Sequence, residues 1–132
     1  MKIETERTFE FPAESVYGAW VADETLIAPV TRIEKDVRVG GHYRLYVEME
    51  QGTAVMEAEY TVIEPGRKLA YSWEWNGDGE VTLVTVQFVP QGAGCLVQLT
   101  HGAFLKEDSY ERHVSGWENY FDGLAERLRK KE

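Results

Sequence analysis

The chain has 132 residues, close to the usual length of one domain, and it contains four Trp, seven Tyr and five Phe. Its formal net charge of −9 argues against nucleic acid and anionic membranes as partners, because both carry dense negative charge. The single cysteine, Cys95, excludes an internal disulfide, and no apolar run approaches the ~20 residues that span a bilayer.

The amino-terminal segment predicts one strand followed by two short helices. Residues 2–11 alternate loosely between apolar and polar side chains, which is typical of a strand. Pro12 suits the first position of a helix whose inner face would carry Trp20. Asp23 can cap a second short helix that ends at Leu26.

The middle of the chain, from residue 33 to residue 101, repeats its apolar residues at every second position, which predicts strands. Turn signals such as Pro65-Gly66 and Asn76-Gly77 separate these strands, so consecutive strands are expected to pair antiparallel. Together with the first strand they would form a sheet of about six to seven strands. Its outer face would carry Arg44, Glu48, Glu50, Glu57, Glu59 and Glu74.

The last segment changes to helical spacing. Asp108 and Glu111 resemble a capping box, and the spacing predicts a helix over about 109–130. Its apolar stripe consists of Tyr110, Val114, Trp117, Phe121, Leu124 and Leu128. Because this helix is the one predicted element long enough to cover the apolar face of the sheet, we expect an α+β fold in which a curved antiparallel sheet wraps it.

Four segments, in chain order, carry a resemblance to a known family. They are Phe11-Pro12-Ala13-Glu14-Ser15-Val16-Tyr17-Gly18-Ala19-Trp20, Asp36-Val37-Arg38-Val39-Gly40-Gly41-His42-Tyr43, Glu64-Pro65-Gly66-Arg67-Lys68-Leu69 followed by Trp73 and Trp75, and Gly116-Trp117. The set is similar to segments of the heat-shock-protein-90 ATPase activator homologue family, which is part of the START-like (SRPBCC) helix-grip superfamily. That family often has a Trp soon after the second short helix, where this chain has Ile27-Ala28-Pro29-Val30.

The resemblance implies that residues 1–132 form a single START-like (SRPBCC) domain with the helix-grip fold of birch-pollen-allergen-like proteins. It also implies an apolar cavity between the sheet and the terminal helix. Relatives in the superfamily bind lipids, steroids, polyketides or plant hormones, and some are cyclases. The co-chaperone activity belongs to larger eukaryotic proteins, so the family name by itself is a weak guide to function.

The leading hypothesis is that the protein binds a small apolar or aromatic ligand in this cavity. The candidate cavity residues are Trp20, Tyr43, Leu45, Met56, Tyr71, Trp73, Trp75, Val84, Val86, His101, Phe104, His113, Trp117, Tyr120 and Phe121. An alternative is that these side chains only fill the core. A second hypothesis is a protein-interaction module of co-chaperone type with a chaperone as partner. A third is a cofactor-independent cyclase, isomerase or hydrolase that uses His101 or His113 as a base, although a hydrogen-bonded histidine at the edge of the core is the simpler interpretation of each.

Familiar catalytic and metal-binding signatures are absent from the sequence. It contains no phosphate-binding Gly-rich loop, no Gly-x-Ser-x-Gly and no His-Glu-x-x-His. Cys95 and the three histidines are scattered along the chain, so no metal, no cofactor and no catalytic residue is expected. The first six residues lack the apolar core of a signal peptide, so a cytoplasmic location is expected. The expected assembly is a monomer or a homodimer.

Overall fold

The computed structural model describes residues 1–22 and 25–130. Its elements are β1 (Ile3–Phe9), α1 (Ala13–Val21), β2 (Val30–Lys35), β3 (His42–Met49), β4 (Gly52–Glu64), β5 (Lys68–Trp75), β6 (Thr82–Gln91), β7 (Gly94–Gly102) and α2 (Glu107–Lys130). The strands form one antiparallel sheet in the order β1-β7-β6-β5-β4-β3-β2. A curved sheet with a long carboxyl-terminal helix confirms the predicted fold class.

The two faces of the sheet differ in burial as the period of two predicts. On one face, side chains such as Tyr60, Leu69 and Val86 are almost completely buried. On the other face, Glu57 and Glu59 are exposed. The buried face therefore needs a covering layer, and within the described residues that layer consists of α1 and α2.

Helix α2 packs most tightly against the sheet through its carboxyl-terminal half. Phe121, Leu124 and Leu128 are buried there. The ring of Phe121 meets that of Phe9 on β1 edge to face, with the ring centroids 6.2 Å apart. Nearer the start of α2, Trp117 is only half-buried, so the helix is less closely covered at that end. Among the described residues, no helix is both long enough and apolar enough to cross a membrane.

The start of α2 is held by a residue that the sequence pattern did not indicate. The carboxylate of Glu80, in the turn between β5 and β6, accepts hydrogen bonds from the backbone N–H groups of Leu105 (2.7 Å) and Lys106 (3.0 Å) and from the hydroxyl of Ser109 (2.6 Å). These bonds lower the pKa of Glu80, with the Ser109 hydroxyl as the largest cause. The helix begins at Glu107, two residues before its predicted start, and is anchored from a distant turn.

The described residues contain one short helix after β1, whereas two were predicted. The prediction of a second helix began at Asp23, which lies outside the described residues, and no helix includes Leu26. The ammonium of Lys35 on β2 donates to the carbonyl oxygens of Trp20 (2.7 Å) and Ala22 (3.2 Å), where α1 ends. A cation at the carboxyl end of a helix is favourable, and this contact directs the chain into β2 at the far edge of the sheet.

The loop between β2 and β3 depends on a glycine. A Cβ atom at Gly41 would overlap the backbone carbonyl oxygen of Asp36 and lie 3.0 Å from that of Arg38. The N–H of Gly41 donates to the same Arg38 carbonyl at 2.8 Å, and its own carbonyl accepts from the N–H of Tyr60 at 3.0 Å. The close approach of these backbone groups explains why a glycine stands at position 41.

We predict that Gly41→Ala lowers the free energy of unfolding by about 2 kcal/mol, because the added methyl group forces the Asp36 carbonyl to move. Gly18→Ala is the matched control. Gly18 lies within α1, where a Cβ atom would meet no atom within 4 Å apart from the backbone of the helix itself. Alanine should therefore stabilise the protein by about 0.5–1 kcal/mol. Urea denaturation of both variants measures the two changes, and equal effects would contradict the assigned close approach.

Candidate functional site

A cavity of about 280 Å³ lies between the inner face of β3, β4 and β5, the first half of α2, and the segment before β2. Its wall consists of Ile27, Ala28, Pro29, Val30, Tyr43, Leu45, Val47, Met56, Tyr71, Trp73, Trp75, Arg112, His113, Gly116, Trp117, Asn119 and Tyr120. Most of these side chains are apolar or aromatic, as is typical of a small-molecule site.

The cavity has a buried floor and an exposed rim. Tyr43, Met56 and Tyr71 on the floor are only 4%, 2% and 2% exposed. Ala28, Pro29, Arg112, Gly116 and Asn119 are exposed, and they lie on the two sides of the rim. The cavity therefore opens to solvent between the segment before β2 and the outer edge of α2.

Nine of the predicted cavity residues line this space: Tyr43, Leu45, Met56, Tyr71, Trp73, Trp75, His113, Trp117 and Tyr120. The other six lie outside the wall: Trp20, Val84, Val86, His101, Phe104 and Phe121. The physical reason for most of them is that α1 and the second half of α2 fill the core over β1, β6 and β7. Trp20, for example, meets Phe88 on β6 edge to face at 5.7 Å and fills that end of the core. His101 and Phe104 instead lie behind the wall, each with its ring centroid 5.1 Å from that of His113.

The wall residues before β2 were not predicted as part of the site, although Ile27-Ala28-Pro29-Val30 had been noted for its missing Trp. Two contacts hold this segment against α2. The side-chain N–H of Asn119 donates to the carbonyl of Ala28 at 2.8 Å. Ile27 packs so closely on Gly123 that a Cβ there would lie 2.5 Å from the Ile27 methyl group. A glycine on the inner half of an amphipathic helix was the available signal for such close packing.

His113 fixes one aromatic wall of the cavity. Its Nδ1–H donates to the carbonyl of Ser109 at 2.7 Å, one turn earlier in α2. Its Nε2 accepts the indole N–H of Trp73 at 3.0 Å. Burial is the main cause that lowers the pKa of His113, so the ring is neutral near pH 7 and both of its nitrogens are occupied.

His101 holds a second tryptophan, Trp117, in place from outside the cavity wall. Its Nδ1 accepts the indole N–H of Trp117 at 3.0 Å. Its Nε2 lies 2.6 Å from the hydroxyl of Thr82, which itself donates to the carbonyl of Trp73 at 3.0 Å, so the imidazole N–H is assigned to Nε2. Burial, with a smaller contribution from the nearby His113, lowers the pKa of His101 to about 3.

The hydrogen bonds of His101 and His113 decide whether either side chain can act as a general base. A general base needs a free lone pair within reach of a substrate proton. The acceptor nitrogen of each histidine already receives an indole N–H. The geometry thus favours the simpler interpretation, in which the two histidines orient Trp73 and Trp117. In the part of the chain that the structure describes, no three His, Cys, Asp or Glu side chains are grouped to hold a metal ion.

Tyrosine hydroxyls and the side chains of Arg112 and Asn119 are further polar groups of the wall. The hydroxyl of Tyr71 accepts the indole N–H of Trp20 at 3.3 Å. Burial raises the pKa of Tyr43, Tyr71 and Tyr120, so all three phenols stay protonated near neutral pH. At the rim, the guanidinium of Arg112 lies 5.2 Å from the ring centroid of Trp75, a cation–π contact.

A curved antiparallel sheet that wraps a long helix, with an apolar cavity open between them, defines a helix-grip protein. Residues 10–129 match the family described as Activator of Hsp90 ATPase homolog 1-like protein, and the chain belongs to that family. No curated protein matched the sequence.

Solved structures show the same fold at low sequence identity. SA2116, a protein of unknown function from Staphylococcus aureus, is 19% identical with a TM-score of 0.85, over 99% of this chain and 94% of that chain. An uncharacterised protein from Rhizobium leguminosarum is 24% identical with a TM-score of 0.82, over 98% and 95%. Ara h 8.0201, which has the birch-pollen-allergen fold, is 14% identical with a TM-score of 0.81, over 98% of both chains. These likenesses establish the helix-grip fold and carry no ligand assignment.

The low pKa of His101 predicts how stability depends on pH. The ordinary pKa is 6.5 and the folded value about 3, so the unfolded chain binds a proton that the folded protein does not. Above pH 6.5, His101 therefore does not change the free energy of unfolding with pH. As the pH falls from 6.5 toward 3, this free energy decreases by up to about 1.4 kcal/mol per pH unit. Urea denaturation of the wild type at several pH values between 8 and 4 measures this slope.

His101→Gln should flatten that slope, because glutamine cannot take up the proton. The readout is the difference in slope between variant and wild type, so any loss of stability that is constant with pH does not affect it. His113 contributes a slope of the same sign, so the variant should retain part of the pH dependence. A variant slope equal to that of the wild type would contradict the assigned protonation of His101.

Proposed function

We propose that this protein binds a small apolar or aromatic molecule in the cavity between the sheet and α2. The observation that carries the proposal is an apolar space whose floor is buried and whose rim is exposed. Side chains that only filled a core would leave few spaces larger than a water molecule. A volume of about 280 Å³ supports a binding site over a packed core.

The volume also sets the size of the ligand. An engineered apolar cavity of about 150 Å³ is enough to hold benzene, and drug-sized ligands need about 300–1,000 Å³. At about 280 Å³, the cavity suits a molecule of one or two rings. Burying roughly 200 Å² of such a ligand contributes on the order of 5 kcal/mol before the costs of association.

The aromatic walls favour a flat ligand. Trp73 and Trp117 line the space from the sheet and from the helix, and an imidazole holds the indole of each in place. Rings held in a fixed orientation offer stacking and edge contacts without losing rotamer freedom when a ligand enters. A fused or substituted aromatic molecule therefore matches the site better than a flexible acyl chain.

The other hypotheses gain less support from the site. An enzyme with His101 or His113 as base would have to break an indole–imidazole hydrogen bond before each proton transfer. The chaperone-partner hypothesis rests on the description of the family and on no feature of the described surface. Ligand binding is therefore the function that we propose.

A cavity-filling variant tests the proposal. 1-Naphthylamine, a probe of two fused rings that is uncharged near neutral pH, should bind the wild type saturably at one site with a blue shift in its fluorescence. Leu45→Trp on the floor should abolish that binding, since the larger side chain occupies the space, and should leave the thermal unfolding midpoint within a few degrees.

Leu83→Trp is the matched control for this experiment. Leu83 lies on β6 and is 57% exposed, and it does not line the cavity, so the same change should leave probe binding intact. Equal probe binding by both variants and the wild type would place the probe elsewhere and refute the cavity as the binding site.

A further inference from the structure

Three tyrosines from three different elements meet in the wall of the cavity. Tyr43 lies on β3, Tyr71 on β5 and Tyr120 on α2, and all three line the open space. The rings of Tyr43 and Tyr71 meet edge to face with their centroids 5.5 Å apart. Tyr120 packs on the same Trp20 whose indole N–H is bound to Tyr71, with the ring centroids of Trp20 and Tyr120 4.8 Å apart. Tyr43, Tyr71 and Tyr120 are called the phenol cluster below.

The hydrogen bonds of the phenol cluster are incomplete. The oxygen of Tyr71 accepts the indole N–H of Trp20, which leaves its own O–H to donate. Within residues 1–22 and 25–130, the hydroxyls of Tyr43 and Tyr120 pair with no other protein group. Tyr43 is only 4% exposed, and its hydroxyl keeps access to the cavity, from which a partner can reach it. A hydroxyl in such a wall normally has a partner, and water or a bound molecule in the cavity can supply one.

The phenol cluster is complementary to a molecule that carries a hydrogen-bond acceptor. Burial keeps the three phenols protonated, so each presents an O–H donor to the cavity. The indole N–H groups of Trp73 and Trp117 are already bound to the two histidines and do not compete for the ligand. The complementary group is therefore an oxygen atom with free lone pairs that can accept two hydrogen bonds, as a carbonyl oxygen does.

The partner oxygen should also be uncharged. A carboxylate buried beside the phenols would need a cation close to it. Arg112 is the cation in the described wall of the cavity, and it lies at the exposed rim over Trp75, away from the buried floor. The ammonium of Lys35 lies 4.6 Å from the ring centroid of Tyr43, but it is outside that wall and already donates to the carbonyl oxygens of Trp20 and Ala22. An uncharged carbonyl makes the same hydrogen bonds without that cost.

We infer that the ligand is a ring compound with an uncharged carbonyl group, a ketone or an ester, whose oxygen accepts hydrogen bonds from Tyr43 and Tyr120. This inference rests on the proposed function and adds the chemical class of the ligand. In the absence of ligand, water in the cavity would take these hydrogen bonds. On binding, the ring system lies between Trp73 and Trp117 and the carbonyl points to the floor.

The experiment measures, by isothermal titration calorimetry, the binding of two matched probes to the wild type and to three variants, and the binding of 2-naphthoate to the wild type. The probes are 2-acetylnaphthalene and 2-isopropenylnaphthalene, which have nearly the same shape but carry C=O and C=CH₂ at the same position. The variants are Tyr43→Phe, Tyr120→Phe and the control Tyr60→Phe. Tyr60 is 1% exposed and stacks on Tyr43 with the ring centroids 5.7 Å apart, but it does not line the cavity.

We expect Tyr43→Phe and Tyr120→Phe each to weaken the binding of the ketone roughly five-fold, the effect of losing one hydrogen bond between uncharged groups. The binding of the alkene should stay within two-fold of the wild type in both variants. Tyr60→Phe should leave the affinity of both probes unchanged. This pattern separates a hydrogen bond to the carbonyl from a change in packing.

The outcomes distinguish a failure of the carbonyl inference from a failure of the proposed function. Binding of both probes with no selective loss of the ketone in either cavity variant would overturn the carbonyl inference and leave the proposed function intact. Tighter binding of 2-naphthoate than of the ketone would overturn the assignment of an uncharged group. Binding of neither probe by the wild type would overturn the proposed function and the inference together.

Discussion

The structure depends on one constraint: the apolar face of a curved, seven-stranded sheet must be covered by one long helix, α2, and one short helix, α1. A straight helix cannot follow that curvature over its whole length. Helix α2 contacts the sheet closely where Phe121, Leu124 and Leu128 are buried, and toward its amino terminus it stands away from β3, β4 and β5. The cavity occupies the space where the two surfaces diverge, so it is a consequence of how the sheet is covered.

Two indole–imidazole hydrogen bonds keep that space open. Trp73 is bound to His113 across the sheet–helix gap, and Trp117 is bound to His101 in the opposite direction. Each pair joins α2 to the sheet through side chains whose polar atoms all have partners, so the walls are fixed at little cost in buried polarity. The phenol cluster is different, because its hydroxyls are left without a complete set of protein partners. The indole–imidazole pairs set the shape of the site, and the tyrosine hydroxyls are the groups that we propose to bind the ligand.

The rim of the cavity depends on packing between the segment before β2 and α2. Gly123 allows Ile27 to approach the helix, and Asn119 binds the carbonyl of Ala28. These contacts connect residues about 90 positions apart in the chain, and together they form one side of the entrance. Proteins of the same fold with less than 25% identity can differ at such a rim while retaining the sheet and helix.

The sequence by itself determined the antiparallel strands, the long terminal helix and the side of the sheet on which most strand residues lie. Those features follow from local periodicity, since alternate residues of a strand must point to opposite faces. A bulge between Tyr60 and Val62 on β4, which the periodicity did not indicate, turns Ile63 to the buried face. Only the tertiary structure decided which inward side chains border open space, because periodicity specifies a face and carries no information on the distance to the covering helix. Trp20, Val84, Val86 and Phe121 share the inward orientation of Tyr43 and Trp73, yet they lie under α1 or the closely packed half of α2. The contribution of Glu80, Ile27 and Asn119 was likewise decided by contacts between distant parts of the chain, for which no local pattern exists.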